Sequence, residues 1–364
     1  MKILVIQDHL RSGGTERQSI LLAGAFAAAG HDSTLLTFRP GGPLAATCSP
    51  AVARRVLQPF DTGLDWFAPG LRRTVAALAP DIVLCMGRMA NCYAGIIQER
   101  FPAVVVVATM RTGKPLPWLF RRSLRTARHI VANSQEARSN LVAHLGLPEG
   151  KISVIYNSLV FPPEAELARN AALRAQLGAG PATVVLVCVA MFRPEKNQRE
   201  LIEVADALHP GTNWQLWLAG TGPALAACER LATERQLDSR VKFLGFQADP
   251  SALYRAADVA VHASRSESLS NFIIEAQAHG LPAVVYAAQG ISECFLPGQS
   301  GWVVPHGDRA GFLARLQPLL ANADFRRACS VRARAHACAQ FDPGRQLRAY
   351  LGLFAQLTRP PAPP

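Results

Sequence analysis

At 364 residues, 49% hydrophobic and 18% charged, the chain is too long for one ordinary core and apolar enough to fill two. No apolar run reaches the length of a bilayer span, and the eight cysteines show neither C-x-x-C nor metal-ligand spacing, so reduced thiols in a cytosolic protein are expected. The formal charge of +12 is uneven: residues 1–162 hold 18 Lys and Arg against 9 Asp and Glu, residues 163–364 hold 20 against 17. A basic first half suits an anionic lipid surface or a phosphorylated acceptor, or else it only reflects an Arg- and Ala-rich composition.

The chain opens with M-K-I-L-V-I-Q-D, which enters a strand at once and lacks the long apolar segment of a signal peptide. Lys2 to Gln7 is that strand, and a helix is expected from about Thr15 to Ala29. Between them Gly13 and Gly14 allow a tight turn and close approach of a ligand. Because these glycines are adjacent, the alternating G-x-G-x-x-G dinucleotide fingerprint is absent. Strand-like runs recur at 33–38, 53–57, 81–86, 104–108, 129–132 and 152–155, with helical stretches that include 70–79 and 90–100. This alternation implies a mostly parallel sheet covered on both faces, one Rossmann-like domain ending near Asn157.

Within that half, Lys114 to His129 mixes Trp118, Leu119, Phe120 and Leu124 with Arg121, Arg122, Arg125 and Arg128. Such a segment either lies on an anionic membrane surface or is a surface helix whose apolar side faces the sheet. It carries no aromatic stacking pattern of the kind that binds RNA, and no nucleic-acid partner is expected. A helix capped by Asn133 or Ser134 follows, and Phe161-Pro162-Pro163 reads as a linker.

A second alternating series begins at Thr183. The strand 183–191 leads into F-R-P-E-K-N, where Arg193 and Lys196 occupy the strand-to-helix turn: a planar fork and a mobile point charge, both suited to phosphate oxygens. The bland alternative is a surface ion pair with Glu195. The next strand ends in G-T-G-P, whose Gly220 and Gly222 permit close approach by a nucleotide and whose Pro223 suits a first helical position. Then Val259 to Ala263 is strand-like and precedes S-R-S-E-S-L-S-N-F-I-I-E-A-Q-A-H-G-L-P. Ser268 or Ser270 caps a helix, Gly280 ends it in a left-handed residue, and Pro282 prevents its continuation. Glu267 therefore sits near a strand's carboxyl end, and Glu275 lies inside the helix. The N–H groups around Leu269 to Asn271 form an anion-binding helix start. A phosphorylated sugar is the simplest ligand needing both carboxylates and an anion site; two ordinary surface glutamates beside a capped helix is the alternative. Farther on, Gln289-Gly290-Ile291-Ser292-Glu293 forms a turn. Pro343 to Leu357 has apolar residues at helical spacing, and Pro360 to Pro364 reads as a disordered tail.

The run S-x-x-E-S-L-S-N-x-x-x-E-A-x-A-x-G-x-P resembles the E-x7-E donor-site signature of family-4 glycosyltransferases, retaining enzymes of the GT-B fold. The order of R-P-E-K, G-T-G-P, E-x7-E and G-I-S-E within one domain makes that resemblance specific, and it covers nearly the whole chain. It implies an α/β protein with two Rossmann-like domains facing each other across a cleft. The acceptor domain would span 1–160 and the nucleotide-sugar donor domain 161–340, with a helix at 341–357 returning to the first domain and a tail at 358–364. It implies hexose transfer from a nucleotide-diphosphate sugar to a saccharide or lipid-linked saccharide acceptor, with retention of configuration and without a metal or other cofactor. Surface polysaccharide or glycolipid assembly is the implied setting, in the cytoplasm or at the inner face of the membrane. Glu267, Arg193 and Lys196 take the catalytic roles by this resemblance. Donor binding falls to Glu275 (the ribose), Gly220, Gly222, Ser268, Leu269, Ser270, Asn271, Gly290, Ile291 and Ser292, and the cleft loop to Gly13 and Gly14. Two departures stand out. Ala190-Met191 replaces the G-R of many relatives, which moves the arginine's role to Arg193. Cys85-Met86-Gly87-Arg88 replaces a segment that often holds a histidine, leaving Arg88 or Asn91 as acceptor contacts. Two other readings use the same features: a sugar-nucleotide 2-epimerase, which needs no acceptor, and a non-catalytic carbohydrate- or membrane-binding module, against which the intact E-x7-E and basic pair argue.

Overall fold

The computed structural model describes residues 1–11, 13–209 and 211–359. The chain divides into two compact units, Met1–Ser158 with Pro343–Pro364, and Leu159–Asp342. Among the described residues no helix is long and apolar enough to cross a membrane.

In the first unit seven strands form one sheet: β1 (Lys2–Gln7), β2 (Asp32–Thr37), β3 (Ala53–Val56), β4 (Ile82–Cys85), β5 (Val105–Met110), β6 (His129–Ala132) and β7 (Ile152–Val154). Their order is β3-β2-β1-β4-β5-β6-β7, and every pairing is parallel. Central strands of such a sheet are covered on both faces, which is why β4 and β5 are buried along their whole length and, Thr109 apart, apolar. Successive side chains of β1 enter opposite layers: Leu4 and Ile6 join one core cluster, Ile3 and Val5 the other. The edge strand β3 is exposed throughout and carries Arg54 and Arg55, charges that discourage pairing with another strand.

The Pro343–Thr358 helix belongs to this unit although it comes last in the chain. Tyr350 stands edge-on to Phe26 with ring centroids 6.2 Å apart, and Phe354 packs beside both. Polar contacts fix its register: Arg111 donates to the Tyr350 hydroxyl at 2.7 Å, and the Gln346 amide donates to Gln18 and to the Tyr156 carbonyl. The helix includes Thr358, one residue past its expected end, and the tail at 360–364 lies outside the described residues.

The basic 114–129 segment folds as a short helix, Trp118–Thr126, and only part of its apolar side is turned inward. Phe120 and Leu124 are buried, and Ser123 is stitched to the Arg88–Arg100 helix by a bond to the Cys92 carbonyl at 2.8 Å and one from the Gly95 amide at 3.0 Å. Of the two readings of this amphipathic stretch, Phe120 and Leu124 follow the sheet-facing one. Trp118, 72% exposed, and the four arginines are what remain outside.

The second unit holds six strands, β8 (Val184–Val189), β9 (Trp214–Ala219), β10 (Val241–Phe243), β11 (Val259–His262), β12 (Ala283–Tyr286) and β13 (Gly301–Val304). They run parallel in the order β10-β9-β8-β11-β12-β13. The chain first builds outward from β8, then crosses back to add β11, so the loops after β8 and β11 diverge at the carboxyl edge. Open α/β sheets bind ligands at such a switch point. A buried ion pair ties this sheet to its cover: Arg174, 3% exposed, meets Asp258 at 3.0 Å and donates to the Ala256 carbonyl, while Asp258 accepts the Val185 amide.

Candidate functional site

Each of the two loops at this switch point is held by backbone bonds. After β8 the chain turns through Ala190–Arg193 into a 3-10 turn, Pro194–Lys196, and then the Gln198–Asp206 helix. The buried Gln198 side chain donates to the carbonyls of Ala190 and Met191. From β9, the Gly220–Pro223 loop adds two bonds, Phe192 N–H to the Thr221 carbonyl and Ala224 N–H to the Phe192 carbonyl, each 2.9 Å. Both glycines take positive φ, +140° and +150°, and a Cβ on either would collide with the Ala190 or Phe192 carbonyl. Close approach is therefore needed here, but by the protein's own backbone. Gly220 and Gly222 thereby seat the turn that carries Arg193 and Lys196. Pro223 likewise precedes the Leu225–Glu234 helix rather than opening it.

The loop after β11 is sewn to that same turn. Arg265 N–H donates to the Glu195 carbonyl at 2.8 Å, and Ser264 Oγ donates to it at 3.4 Å. Glu267 is thereby delivered to Lys196, with Nζ 2.6 Å from Oε1. Oε1 also meets His262 Nε2 at 2.7 Å. The other oxygen, Oε2, has no hydrogen-bond partner among the described residues, and the side chain keeps 10% exposure. Burial alone would push the Glu267 carboxyl up. The Lys196 ammonium and the His262 ring outweigh it and hold the group at about 2, so the carboxylate is ionised.

Three residues on, Ser270 caps the Asn271–Ala278 helix by accepting the Ile273 amide. Of the two expected caps, Ser270 is the one used. Ser268 is instead within 3.5 Å of the Gln289 amide nitrogen, and Gly280 ends the segment at φ +76°. The backbone N–H groups of Leu269 and Ser270, beside the helix start, donate to nothing among the described residues. Asn271 opens the helix, half-buried. Glu275 follows in the second turn and accepts the Tyr254 hydroxyl at 2.7 Å. In the 289–294 turn Gly290 is left-handed and precedes a 3-10 turn, Ile291–Cys294. There the Ile291 side chain is buried and its amide donates to the Ala288 carbonyl, so Ile291 is structural, a correction to its place among the donor contacts; Ser292 is exposed.

Arg193 heads the 3-10 turn that ends in Lys196, half-buried. Thus Lys196 and Glu267 are brought into contact, Arg193 shares the lysine's turn, and Glu275 shares the helix that follows Glu267. Three participants escaped the sequence reading: His262, Tyr254 and Gln198. For His262 the signal was a histidine closing an otherwise apolar strand five residues before Glu267.

In the first unit Asn91 is 1% exposed, donates to the Gly87 carbonyl and accepts the Thr109 amide, so it locks the end of β4 to β5. That corrects its assignment as an acceptor contact, because its amide is spent inside the fold. Arg88 is exposed and donates to the Pro115 carbonyl at 2.7 Å. Gly13 precedes the Gly14–Ala28 helix, and a Cβ there would meet only the movable Glu16 carboxylate. Asp8, at the end of β1, accepts the amides of Met89 and Ala90 at 3.0 and 2.6 Å. Among the described residues no three His, Cys, Asp or Glu side chains converge as a metal site.

Two family models match the chain, Glycosyltransferase Family 4 over residues 12–159 and Glycosyl transferases group 1 over residues 170–336. A D-inositol 3-phosphate glycosyltransferase of Nocardia farcinica is 32% identical over 60% of this chain and 50% of its own length. The lipopolysaccharide core biosynthesis glycosyltransferase LpsE of Rhizobium meliloti is 32% identical over 50% of this chain and 53% of its own. The chain thus spans about half the length of these curated relatives. Among solved structures, Anabaena HepE in complex with UDP superposes with a TM-score of 0.82 at 22% identity, covering 98% of this chain and 100% of that one. Sucrose-phosphate synthase of Thermosynechococcus elongatus gives 0.82 at 20% identity, covering 98% and 99%. The fold is GT-B.

Proposed function

Because this chain belongs to glycosyltransferase family 4, we propose that it moves a hexose from a nucleotide-diphosphate sugar to an acceptor hydroxyl with retention of configuration. The observation that carries the proposal is the contact between Lys196 and the ionised Glu267, one step before a helix start with unspent N–H groups. As the bond from the sugar's anomeric carbon to the diphosphate breaks, its electron pair passes to the phosphate oxygen. Lys196, Arg193 and the amides of Leu269 and Ser270 are the fixed positive charge and dipoles that meet it. Such preorganised donors are typically worth about 3–4 kcal/mol each. The acceptor oxygen attacks the same face, and its proton goes to the departing phosphate. Glu267 Oε2 is assigned to the sugar hydroxyls and Glu275, with Tyr254, to the ribose.

A metal-independent reaction is part of this proposal, and the availability of Lys196, Arg193 and the Leu269 and Ser270 amides to neutralise the diphosphate supports it. So is a saccharide or lipid-linked saccharide acceptor in surface polysaccharide or glycolipid assembly, on the cytoplasmic side of a membrane. LpsE, by its name a lipopolysaccharide core enzyme, supports that setting. Exposed Trp118 with Arg121, Arg125 and Arg128 supports contact with an anionic bilayer. The HepE complexes hold UDP and UDP-glucose, so uridine donors come first in the test.

Thermal-shift measurement with UDP-, GDP- and ADP-sugars identifies the donor, because selective binding raises stability by mass action. The preferred donor is then incubated with candidate acceptors in the presence of a chelator, and the product anomer is read by NMR. Acceptor-dependent release of nucleoside diphosphate is the expected result. An isomerised sugar formed without acceptor would mean a 2-epimerase, and binding without turnover a non-catalytic module.

A further inference from the structure

We infer that His262 is a positioning residue that pins one oxygen of Glu267 so that the other is the oxygen offered to the sugar; the inference rests on the donor-site reading above. Glu267 Oε1 lies between Lys196 Nζ at 2.6 Å and His262 Nε2 at 2.7 Å, while Oε2 has no partner among the described residues. A lysine alone would hold the carboxylate loosely, since its ammonium is a mobile point charge on a flexible stem. The imidazole supplies direction.

That ring is itself immobilised. His262 is 1% exposed at the end of β11, and its ring stands edge-on to Phe272 at 5.4 Å and 65°. On its far side Cys188, the fifth residue of β8, sits with Sγ 3.7 Å from Nδ1. The chemistry of the neighbours decides the tautomer. An ionised carboxylate only accepts, so Nε2 must carry the proton and donate. Nδ1 is then a lone pair, which the Cys188 thiol can serve as a donor. Burial keeps both groups in these forms, pushing the thiol up to about 12 and lowering the imidazole below its usual range. The result is a directed line, Cys188 S–H to His262 Nδ1 and His262 Nε2–H to Glu267 Oε1. It fixes the carboxylate plane from inside the sheet without reaching the sugar.

The test compares wild type with His262→Phe, which keeps an aromatic ring but removes the donor, and His262→Gln, whose amide nitrogen reaches about as far as Nε2. His262→Phe is expected to lower kcat about 10- to 100-fold, the worth of a hydrogen bond to a charged group, with the dissociation constant of the free nucleotide unchanged within about 3-fold. His262→Gln should recover most of the lost turnover. Equal turnover in wild type and His262→Phe would overturn the inference, as would a Gln variant no better than Phe. Nitrogen-15 NMR of the wild-type protein at neutral pH gives a readout that needs no turnover. The ring should be the neutral Nε2–H tautomer, and its Nε2 signal should move in Glu267→Ala. An Nδ1–H tautomer or an imidazolium sinks the inference whether or not the chain transfers sugar. A protein with the expected ring state but no transfer to any acceptor would leave the positioning intact and refute the enzymatic reading instead.

Discussion

Asp8 and Glu267 are both carboxylates just beyond a central strand of a parallel sheet, both largely buried, and they titrate in opposite directions. Burial pushes Asp8 up to about 6, against the two amides it accepts, and the nearby charges of Asp65 and Glu16 add to the rise. Glu267 is held at about 2 because Lys196 and His262 overcome the same burial. Position in the fold is similar; the difference is the partner. Amide dipoles at the start of the Arg88–Arg100 helix can cap a chain end, whereas a full positive charge also keeps a buried carboxylate ionised through the acid range. The first unit uses its acid as a cap, and the second presents its acid with one oxygen uncommitted.

The sharpest way to break this contrast is Lys196→Met, which should make Glu267 behave like Asp8. Stranding a buried charge typically costs about 3–5 kcal/mol, so urea unfolding near neutral pH should show a loss of that order, shrinking as the carboxyl becomes protonated in acid. In wild type the Glu267 contribution is fully present above the ordinary carboxyl value of 4.5 and is lost as pH falls toward about 2. An unfolding curve for Lys196→Met that matches wild type at every pH would show that the lysine is not what holds the carboxylate.

Next in size is the division of labour between the two glutamates. Glu267→Ala should lower turnover roughly 10²- to 10³-fold with nucleotide affinity nearly intact. Glu275→Ala should weaken nucleotide binding about 10-fold, the scale of one charged hydrogen bond, with a smaller effect on kcat. Steady-state kinetics and calorimetry with the preferred donor check both, and matching profiles for the two variants would erase the distinction.

Asp8 makes a prediction of opposite sign. Its folded carboxyl is raised, so the folded protein retains a proton between about pH 4 and 6 that the unfolded chain has released. Stability should fall as pH rises through that window, by about 2–3 kcal/mol from this group, and level off above it. Asp8→Asn should flatten this part of the pH–stability profile measured by urea unfolding; an unchanged slope would assign it to other groups. The smallest effect is expected at the cap of the Asn271–Ala278 helix. Ser270→Ala removes the bond to the Ile273 amide and should cost about 1 kcal/mol, read as a lower unfolding midpoint.

The alternation of strands and helices was legible because both sheets are parallel, and their central strands must be apolar runs separated by capped helices. Ser270 and Gly280 could be read as helix boundaries because each acts within its own turn: Ser270 accepts Ile273, and Gly280 follows the helix it ends. Asn91 and Ile291 differ from expectation for one shared reason: each has a polar group that suits a ligand, yet its hydrogen bonds serve the fold instead. Nothing local in the sequence separates the two uses.

Composition, periodicity and motif order were enough to indicate two α/β units and the family, since those depend on contacts recurring along the chain or on a short, specific string. Which oxygen of Glu267 is held, that His262 and Cys188 stand behind it, and that Asp8 and Glu267 titrate apart were decided only in three dimensions. A carboxylate's charge state and orientation are set by groups that arrive from other strands, here β8 and the turn after it. Their distance from Glu267 along the chain, about seventy residues, says nothing of the few ångströms that separate them in space.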